Sequence, residues 1–153
     1  PILFLNAIAQ HSWDSNKRLG SFSANKDNPD KNLSIKFNET EAGAIISSID
    51  NRFEWSTYHS FEDNKTQIRL TPWDKEIKVS KVNQSTKDTY ETTQKIPAFG
   101  LVVTKNGNQT FKISLEPGEA QCLKSVCKFL LHMKNEKAWI LNQKLRSSQN
   151  SDF

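Results

Sequence analysis

Apolar and polar residues alternate through two short segments of the chain, and in both places the pattern then changes at once to helical spacing. The first segment begins at Leu33 and leads into a predicted helix over about residues 39–50. The second begins at Phe111 and leads into a predicted helix over about residues 117–134. The two segments align at a constant offset of 78 positions, from 33 to 111. A period of two predicts a strand and a period near 3.6 an amphipathic helix, so the pattern predicts one strand–helix unit that occurs twice.

Both predicted helices begin at recognisable start signals. Asn38 precedes the first helix, and Glu41 three residues later gives a pattern that resembles a capping box. Pro117 stands at the first position of the second helix, and Glu119 lies near its N-terminus. Helix capping explains both glutamates, which therefore do not indicate a catalytic acid and base.

Further strand-like segments precede each helix. They cover about residues 2–9, 17–25 and 33–37 before the first helix, and 54–61, 65–73, 98–105 and 110–115 before the second. Hairpin turns are predicted at Asp63–Asn64 and Asn106–Gly107. Between Trp73 and Pro97 the sequence lacks useful periodicity, which indicates either a long exposed loop or a mobile β-ribbon.

The repeated order of strands and helix predicts a single α+β domain over residues 1–146. Its internal repeats cover about residues 1–50 and 54–134, and apolar residues after Met133 predict a separate tail helix over about residues 136–146. A flexible tail is expected over residues 147–153. A chain of 153 residues usually forms one hydrophobic core, so two large domains are excluded.

Composition and charge add a mild preference for an anionic partner. The chain has 21 Lys and Arg against 17 Asp and Glu, a net charge of +4. A mean hydropathy of −0.68 indicates a polar chain, whose hydrophobic core must form from few apolar residues and could be completed by other subunits. No apolar run approaches the roughly 20 residues of a membrane span. The apolar start lacks the basic region of a signal peptide, so we expect a strand there and no targeting segment.

The two cysteines favour a reducing, intracellular compartment, such as a nucleoid, an organelle or phage-infected cytoplasm. Cys122 and Cys127 lie five residues apart on one predicted helix, where their side chains diverge and cannot form a disulfide. Both are predicted to be buried thiols.

Residue patterns for catalysis, cofactors and metals are missing from the sequence. The five glycines are too scattered for a phosphate-binding loop or a dinucleotide fingerprint. The three histidines fall in separate predicted elements, and neither cysteine has a histidine beside it, so we expect no metal site and no cofactor. Because no nucleophile, base and oxyanion donors can be assembled, we expect that the protein is not an enzyme.

Basic and aromatic side chains on strands are the remaining indication of function. In the segment from Lys65 to Trp73, alternation places Ile68 and Leu70 on one face and Arg69 on the other. Single-stranded nucleic acid binds to such a face, because cations follow the phosphates and flat rings stack on unpaired bases. An ordinary solvated face explains the same residues.

The predicted nucleic-acid surface has two groups of residues. Strand alternation selects Lys36, Arg69, Trp73 and Lys112. The pattern places a second group less directly: Lys17, Arg18, Phe22, Tyr58, Lys65 and Lys105.

The chain resembles the Whirly family of single-stranded nucleic-acid-binding proteins over about residues 17–139. The repeat carries this likeness, together with Glu54-Trp-Ser-Thr-Tyr-His-Ser-Phe61, the segment from Lys65 to Trp73, and Leu115-Glu-Pro-Gly-Glu-Ala before the second helix. It is also similar to mitochondrial guide-RNA-binding proteins and, over one half, to coactivator-type single-stranded-DNA-binding domains. The resemblance implies two four-stranded antiparallel sheets packed roughly orthogonally, and strands of nucleic acid that run over the sheets.

The family's Lys-Gly-Lys-Ala-Ala-Leu-like strand has no true match here, since the nearest counterpart is Lys17-Arg-Leu-Gly-Ser-Phe22. The resemblance therefore does not extend to the higher-order assembly and the functions of the plant proteins, and a phage or organellar single-strand binder of the same fold is equally compatible. The function expected is sequence-independent binding and protection of single-stranded DNA in replication, recombination or repair. The alternatives are an RNA-binding or RNA-annealing protein and a protein-interaction module that binds no nucleic acid.

The second predicted helix has more apolar surface than one sheet can cover. An oligomer is therefore expected, and because the related family gathers this helix at a tetramer centre, we expect a homotetramer, with a dimer as the alternative. The residues predicted at the interface are Leu123, Val126, Cys127, Leu130 and Leu131. Packing of Leu131 and Met133 beneath the tail helix within one chain is the competing interpretation.

Overall fold

The computed structural model describes residues 2–149, with side chains described over 2–144. Four strands and a helix occur twice along the chain. The first set is β1 (Leu3–Ile8), β2 (Ser12–Asp14), β3 (Leu19–Ser21), β4 (Asn32–Phe37) and α1 (Glu39–Asn51), with a short 3₁₀ turn at Ser23–Asn25. The second set is β5 (Trp55–Phe61), β6 (Asn64–Val82), β7 (Thr89–Lys105), β8 (Gln109–Leu115) and α2 (Pro117–Gln149).

Two compact units make up the chain, and both helices cross from one unit to the other. One unit contains the residues up to Ile46 and those from Ser125 onward, and the other runs from Ser47 to Lys124. The predicted single domain over residues 1–146 stays a prediction. In its described residues, neither helix combines the length and the hydrophobicity that crossing a bilayer requires.

The predicted strand–helix repeat is confirmed at the same offset of 78 residues, since α1 begins at position 39 and α2 at position 117. Asn38 and Glu41 form a complete capping box. The Glu41 carboxylate accepts the Asn38 amide at 3.0 Å, and the Asn38 side chain accepts the Glu41 amide at 2.9 Å. At the equivalent start of α2, the Glu119 carboxylate accepts the Glu116 amide at 2.8 Å. Local capping chemistry thus sets both starts.

The first unit contains two two-stranded sheets, so the predicted four-stranded sheet in this half is wrong. Strand β1 pairs antiparallel with β4, from Leu3 opposite Phe37 to Ile8 opposite Asn32. Strands β2 and β3 pair only with each other. Each has three residues, and all three side chains of β2 are exposed, so this hairpin lacks the alternating apolar face that would join it to a larger sheet.

The second unit contains a four-stranded antiparallel sheet in the order β5–β6–β7–β8. Ile68 and Leu70 of β6 are fully buried on one face, where they pair with Val103 and Leu101 of β7. Burial of each such side chain contributes roughly 1.5–3 kcal/mol to stability. Of the predicted architecture, the α+β class, the strand–helix repeat and one four-stranded antiparallel sheet are observed, and the second four-stranded sheet is not.

Strands β6 and β7 continue beyond this sheet as a two-stranded ribbon, Asp74–Val82 paired with Thr89–Pro97. The segment between Trp73 and Pro97 is therefore a β-ribbon and not a loop. Arg52 holds the place where the ribbon leaves the sheet. Its guanidinium lies 2.9 Å from the Asp74 carboxylate and donates to the Trp73 carbonyl at 3.3 Å, and it stacks over the Phe99 ring at 5.8 Å.

Helix α2 is one continuous element of 33 residues, so the prediction of separate helices over 117–134 and 136–146 is wrong. The predicted break falls in Lys134-Asn-Glu-Lys-Ala-Trp139, which contains neither Gly nor Pro to end a helix. Residues 147–149, which were expected in a flexible tail, are helical, and 150–153 lie outside the described residues.

Candidate nucleic-acid interface

One face of the four-stranded sheet forms the core of the second unit, and the other is open. Directly paired residues in an antiparallel ladder lie on the same face, so the register assigns each side chain to one of the two. On the open face, Arg69 pairs with Ser56 on one side and with Val102 on the other, and Val102 pairs with Lys112. This row crosses all four strands.

A second row on the open face lies two residues further along each strand. Gln67 pairs with Tyr58 of β5 and with Thr104 of β7, and Thr104 pairs with Thr110 of β8. Tyr58 is 57% exposed, so its ring is accessible to a ligand. Aromatic and hydroxyl or amide side chains therefore lie next to the row that contains Arg69 and Lys112.

Five of the ten predicted binding residues lie on this open face: Tyr58, Lys65, Arg69, Trp73 and Lys112. All five side chains are exposed, and Trp73 is 42% exposed. The sequence alternation through β6 thus predicted the correct face. The structure adds that Lys112 of β8 lies in the same row as Arg69 of β6.

An open depression of about 460 Å³ lies at the end of the sheet that carries the hairpin turns. Its lining includes Tyr58, Asp63, Lys65, Gln67, Thr104 and Asn106. Two hydrogen bonds between Asn106 and the Lys65 backbone fix the wall of the depression. The Asn106 side chain accepts a hydrogen bond from the Lys65 amide at 2.8 Å, and the Asn106 amide donates one to the Lys65 carbonyl at 2.7 Å.

The turns beside the depression come from local backbone preferences. Asn106 and Gly107 adopt φ of 52° and 73°, the left-handed region that Asn and Gly tolerate best. This confirms the predicted hairpin at Asn106–Gly107. The other turn consists of Glu62 and Asp63, because Phe61 pairs with Asn64. The predicted turn at Asp63–Asn64 is therefore displaced by one residue.

The Glu54 carboxylate lies beside Arg69 on the open face. The Glu54 side chain lies 3.9 Å from Nε of Arg69 and accepts a hydrogen bond from the Thr71 hydroxyl at 3.0 Å. Both charged side chains are about half exposed, so water and salt screen their attraction. A phosphate that approaches Arg69 competes with this carboxylate.

Lys105 does not share the open face. It pairs with Thr66 and Gln109, which lie on the same side of the sheet as Ile68 and Phe111. The reason is the period of two along β7, which places Thr104 on the open face and its neighbour on the core face. Lys105 therefore lies on the opposite face from Arg69 and Lys112, and its predicted role in binding stays a prediction.

The other four predicted binding residues belong to the first unit. Lys17 and Arg18 lie in the turn between β2 and β3, where the Lys17 amide donates to Asp14 Oδ1 at 3.0 Å. Phe22 is 46% exposed and precedes the 3₁₀ turn. Lys36 lies on the exposed face of β4, opposite the buried Ile35 and Phe37 in the alternation, as predicted. None of these four belongs to the four-stranded sheet.

The predicted interface residues of α2 divide into two groups. Cys127 and Leu130 are buried within the chain, and Leu123 and Leu131 are half-buried. Val126 is 49% exposed. Cys127 and Leu130 are thus already covered, because they lie on the helical stripe that also contains the buried Ala120.

An exposed apolar stripe runs beside the buried one on α2. Phe129, which was not among the predicted interface residues, is 63% exposed, and it follows Val126 by three positions. Met133, which is half-buried, and Ile140, which is exposed, continue the same face at helical spacing. The sequence signal for Phe129 was its helical spacing, three residues after Val126 and four before Met133. We call Val126, Phe129, Met133 and Ile140 the α2 stripe.

The two cysteines differ in environment. Cys127 is buried, and burial raises the pKa of its thiol to about 11. Cys122 is exposed, so the prediction that both thiols are buried is wrong for this residue. A separation of five residues turns a helix by about 140° relative to the start, and the two side chains therefore face different surroundings.

Charged groups between the helices are paired at the surface. Lys134 lies 2.6 Å from Glu39, and this hydrogen-bonded ammonium holds the pKa of the Glu39 carboxyl below its usual value. Lys124 forms an ion pair with Asp50. Over the part of the chain that the structure describes, no three His, Cys, Asp or Glu side chains group in a way that would hold a metal ion.

The predicted binding surface includes only two of the residues that line the depression, Tyr58 and Lys65. It missed the other five: Asp63, Gln67, Thr104, Asn106 and Gly107. Gln67 has the same parity in β6 as Arg69, but a single sequence does not say which residue of the neighbouring strand lies beside it. The register of β6 with β7 supplies that information. The Asn-Gly turn was the one available signal for this end of the sheet.

Comparisons with protein-family models, with curated proteins and with solved structures give no match for this chain.

Proposed function

We propose that the chain is a non-catalytic protein that binds single-stranded DNA without sequence dependence and protects it during replication, recombination or repair. The open face of the four-stranded sheet carries this proposal. Cations and aromatic rings share that face, and the opposite face is the core. It therefore offers an accessible surface, and binding needs no rearrangement of the sheet.

Each residue type on this face has a separate role in the proposal. Lys65, Arg69 and Lys112 neutralise phosphates, and this releases counterions and makes binding strongly dependent on salt. Tyr58 and Trp73 stack on unpaired bases, a contact worth roughly 1–3 kcal/mol per base and similar for all four bases. Paired bases in a duplex do not expose the surface on which such rings stack, so the face favours single strands.

The proposed architecture is Whirly-like. The order of four strands and one helix, found twice, supports it. A homotetramer, or a dimer as the smaller assembly, belongs to the same proposal, and the α2 stripe is its proposed contact because Phe129 and Ile140 are apolar and exposed. A reducing intracellular compartment fits the exposed thiol of Cys122.

The test is fluorescence anisotropy with labelled oligonucleotides over a range of salt concentrations. Log affinity should fall linearly with log salt, by about 0.7 per phosphate neutralised. Arg69→Ala should lower this slope by less than one. Lys78→Ala is the matched control, since Lys78 is an exposed cation on the ribbon and lies outside the proposed surface. Preference for duplex, or no binding at low salt, would contradict the proposal.

An RNA-binding protein is the alternative on the same surface. Competition between DNA and RNA oligonucleotides of the same sequence distinguishes the two, because the 2′-hydroxyl group is the physical difference between them. Tighter RNA binding would reassign the protein to RNA.

A protein-interaction module is the second alternative, and the exposed α2 stripe favours it. Such a module would lack nucleic-acid affinity altogether. Light scattering with Phe129→Asp separates assembly from binding. Loss of the oligomer in this variant, together with no single-strand affinity in the unmodified chain, would favour the module, and single-strand affinity in the unmodified chain would contradict it.

A further inference from the structure

The depression at the hairpin end of the open face differs from the rest of the sheet in its chemistry. The row that contains Arg69 and Lys112 presents cations and small side chains, which suit phosphates. The depression combines one aromatic ring, one ammonium, one carboxylate and polar uncharged groups. Its volume of about 460 Å³ lies within the range of roughly 300–1,000 Å³ that is typical of small-molecule sites.

We propose that this depression binds one guanine base of the bound strand, in preference to the other three bases. The proposal rests on the single-strand binding proposed above and deepens it. Binding along the sheet remains independent of sequence, and a preference is added at one nucleotide. The base stacks on Tyr58, whose ring is exposed at the edge of the depression.

The polar groups of the depression have defined hydrogen-bonding characters. A carboxylate such as Asp63 only accepts hydrogen bonds, and a lysine ammonium such as Lys65 only donates them. The Asn106 side chain uses its oxygen to accept the Lys65 amide, so it presents its NH₂ group, which is a donor. The depression therefore places one strong acceptor among donors.

Guanine has the complementary edges. Its N1–H and N2–H₂ groups lie side by side and match the two oxygens of the Asp63 carboxylate. Its O6 and N7 atoms accept hydrogen bonds, as Lys65 and Asn106 require. Hydrogen bonds to an ionised carboxylate are about twice as strong as neutral ones, so the pair with Asp63 dominates the preference.

The other bases fit this set of groups less well. Thymine offers one donor, N3–H, to the carboxylate. Adenine and cytosine each offer one amino group with a ring nitrogen acceptor beside it, and that acceptor faces the Asp63 carboxylate unfavourably. Inosine lacks the N2 amino group of guanine and retains N1–H, so it should lie between guanine and thymine.

The experiment measures the affinity of the full chain for short thymidine oligonucleotides with one central nucleotide changed to guanine, inosine, adenine or cytosine. The guanine oligonucleotide should bind about tenfold more tightly than the adenine, cytosine or all-thymidine ones. Asp63→Asn should remove this preference and leave the affinity for the all-thymidine oligonucleotide unchanged or slightly higher, because a negative charge is lost. Tyr58→Ala should weaken all five oligonucleotides together.

The matched control is Glu62→Gln. Glu62 occupies the same turn as Asp63 but does not line the depression. Its substitution by Gln removes the same negative charge as Asp63→Asn. Its variant should keep the guanine preference. Equal affinities for all five oligonucleotides, or a preference that survives in Asp63→Asn, would overturn the guanine site while single-strand binding stands. Failure of the all-thymidine oligonucleotide to bind at low salt would instead remove the proposed function itself.

Discussion

Strands β6 and β7 form one continuous hydrogen-bond ladder with two halves, an inner half within the four-stranded sheet and an outer half that is the ribbon. The covered side chains of the two halves lie on opposite faces of the ladder. In the inner half, Ile68 and Leu70 are fully buried on the core face. In the outer half, Ile77 and Val79 are the more covered residues, and they have the other parity in the strand. A ladder of paired strands therefore does not decide which face is covered, and the side-chain pattern does.

The two halves also differ in what stabilises them. No side chain from residue 71 to residue 97 is fully buried, so the ribbon has no core of its own. Its other face carries ion pairs between exposed groups, Glu76 with Lys95 at 3.9 Å and Lys78 with Glu91 at 3.5 Å. The ribbon depends on its ladder and on such weak pairs, and the inner half depends on burial.

The largest expected effect comes from removing a buried side chain in the inner half. Ile68→Ala should lower the free energy of unfolding by about 2–5 kcal/mol, because it leaves a cavity in a packed core. Ile77→Ala in the ribbon should lower it by less than about 1 kcal/mol. Urea unfolding followed by circular dichroism measures both. Equal losses would mean that the ribbon is as tightly packed as the sheet.

A smaller effect is expected for the aromatic ring where the two halves meet. Trp73→Ala should cost roughly 1–3 kcal/mol of single-strand binding through lost stacking and leave the salt slope almost unchanged. Tyr90→Ala in the ribbon, another half-exposed ring, should leave the affinity unchanged.

The melting temperature of each variant separates binding from folding. A Trp73→Ala protein with normal stability and normal affinity would remove Trp73 from the binding surface.

The carboxylate beside Arg69 gives a prediction of opposite sign. Glu54→Gln should raise single-strand affinity at low salt by about 1.4-fold to fivefold, the effect of one exposed charge pair of roughly 0.2–1 kcal/mol. The reason is that Glu54 no longer competes with phosphate for the guanidinium. Glu76→Gln makes the same charge change in the ribbon and should leave the affinity unchanged. A decrease in affinity for Glu54→Gln, measured by anisotropy, would contradict this role.

The smallest expected effect is the coupling between Glu76 and Lys95. Both side chains are well exposed, so a double-mutant cycle with alanine should give a coupling energy below about 0.5 kcal/mol. Thermal unfolding of the two single variants and the double variant measures it. A coupling above about 1 kcal/mol would show that ion pairs hold the ribbon together.

Features with a local cause could be predicted from this sequence. The capping box of Asn38 and Glu41, the turn at Asn106–Gly107 and the outward face of Arg69 each depend on residues close together in the chain. The start of α2 is of the same kind, because Pro117 suits the first position of a helix.

Features that depend on distant pairing could not be predicted. The pairing of β1 with β4 joins segments that are separated by the β2–β3 hairpin, and no residue of β1 specifies that partner. The depression requires Gln67 and Thr104 side by side, which only the register of β6 with β7 provides. The change of covered face near Trp73, from Ile68 and Leu70 to Ile77 and Val79, could not be predicted either. The segment between Trp73 and Pro97 lacks useful periodicity, so only three-dimensional packing distinguishes its two faces.

The length of α2 has a consequence for the time scale of its motions. At 1.5 Å per residue, its 33 residues extend about 50 Å. Side chains 135–144 are all exposed, so these turns lack the packing that stabilises Cys127 and Leu130. We expect their amide hydrogens to exchange with deuterium much faster than those of the buried turns, through local opening. A molecule that covers Trp139 and Leu141 would slow this exchange, and the exchange rate would then report its presence without any label.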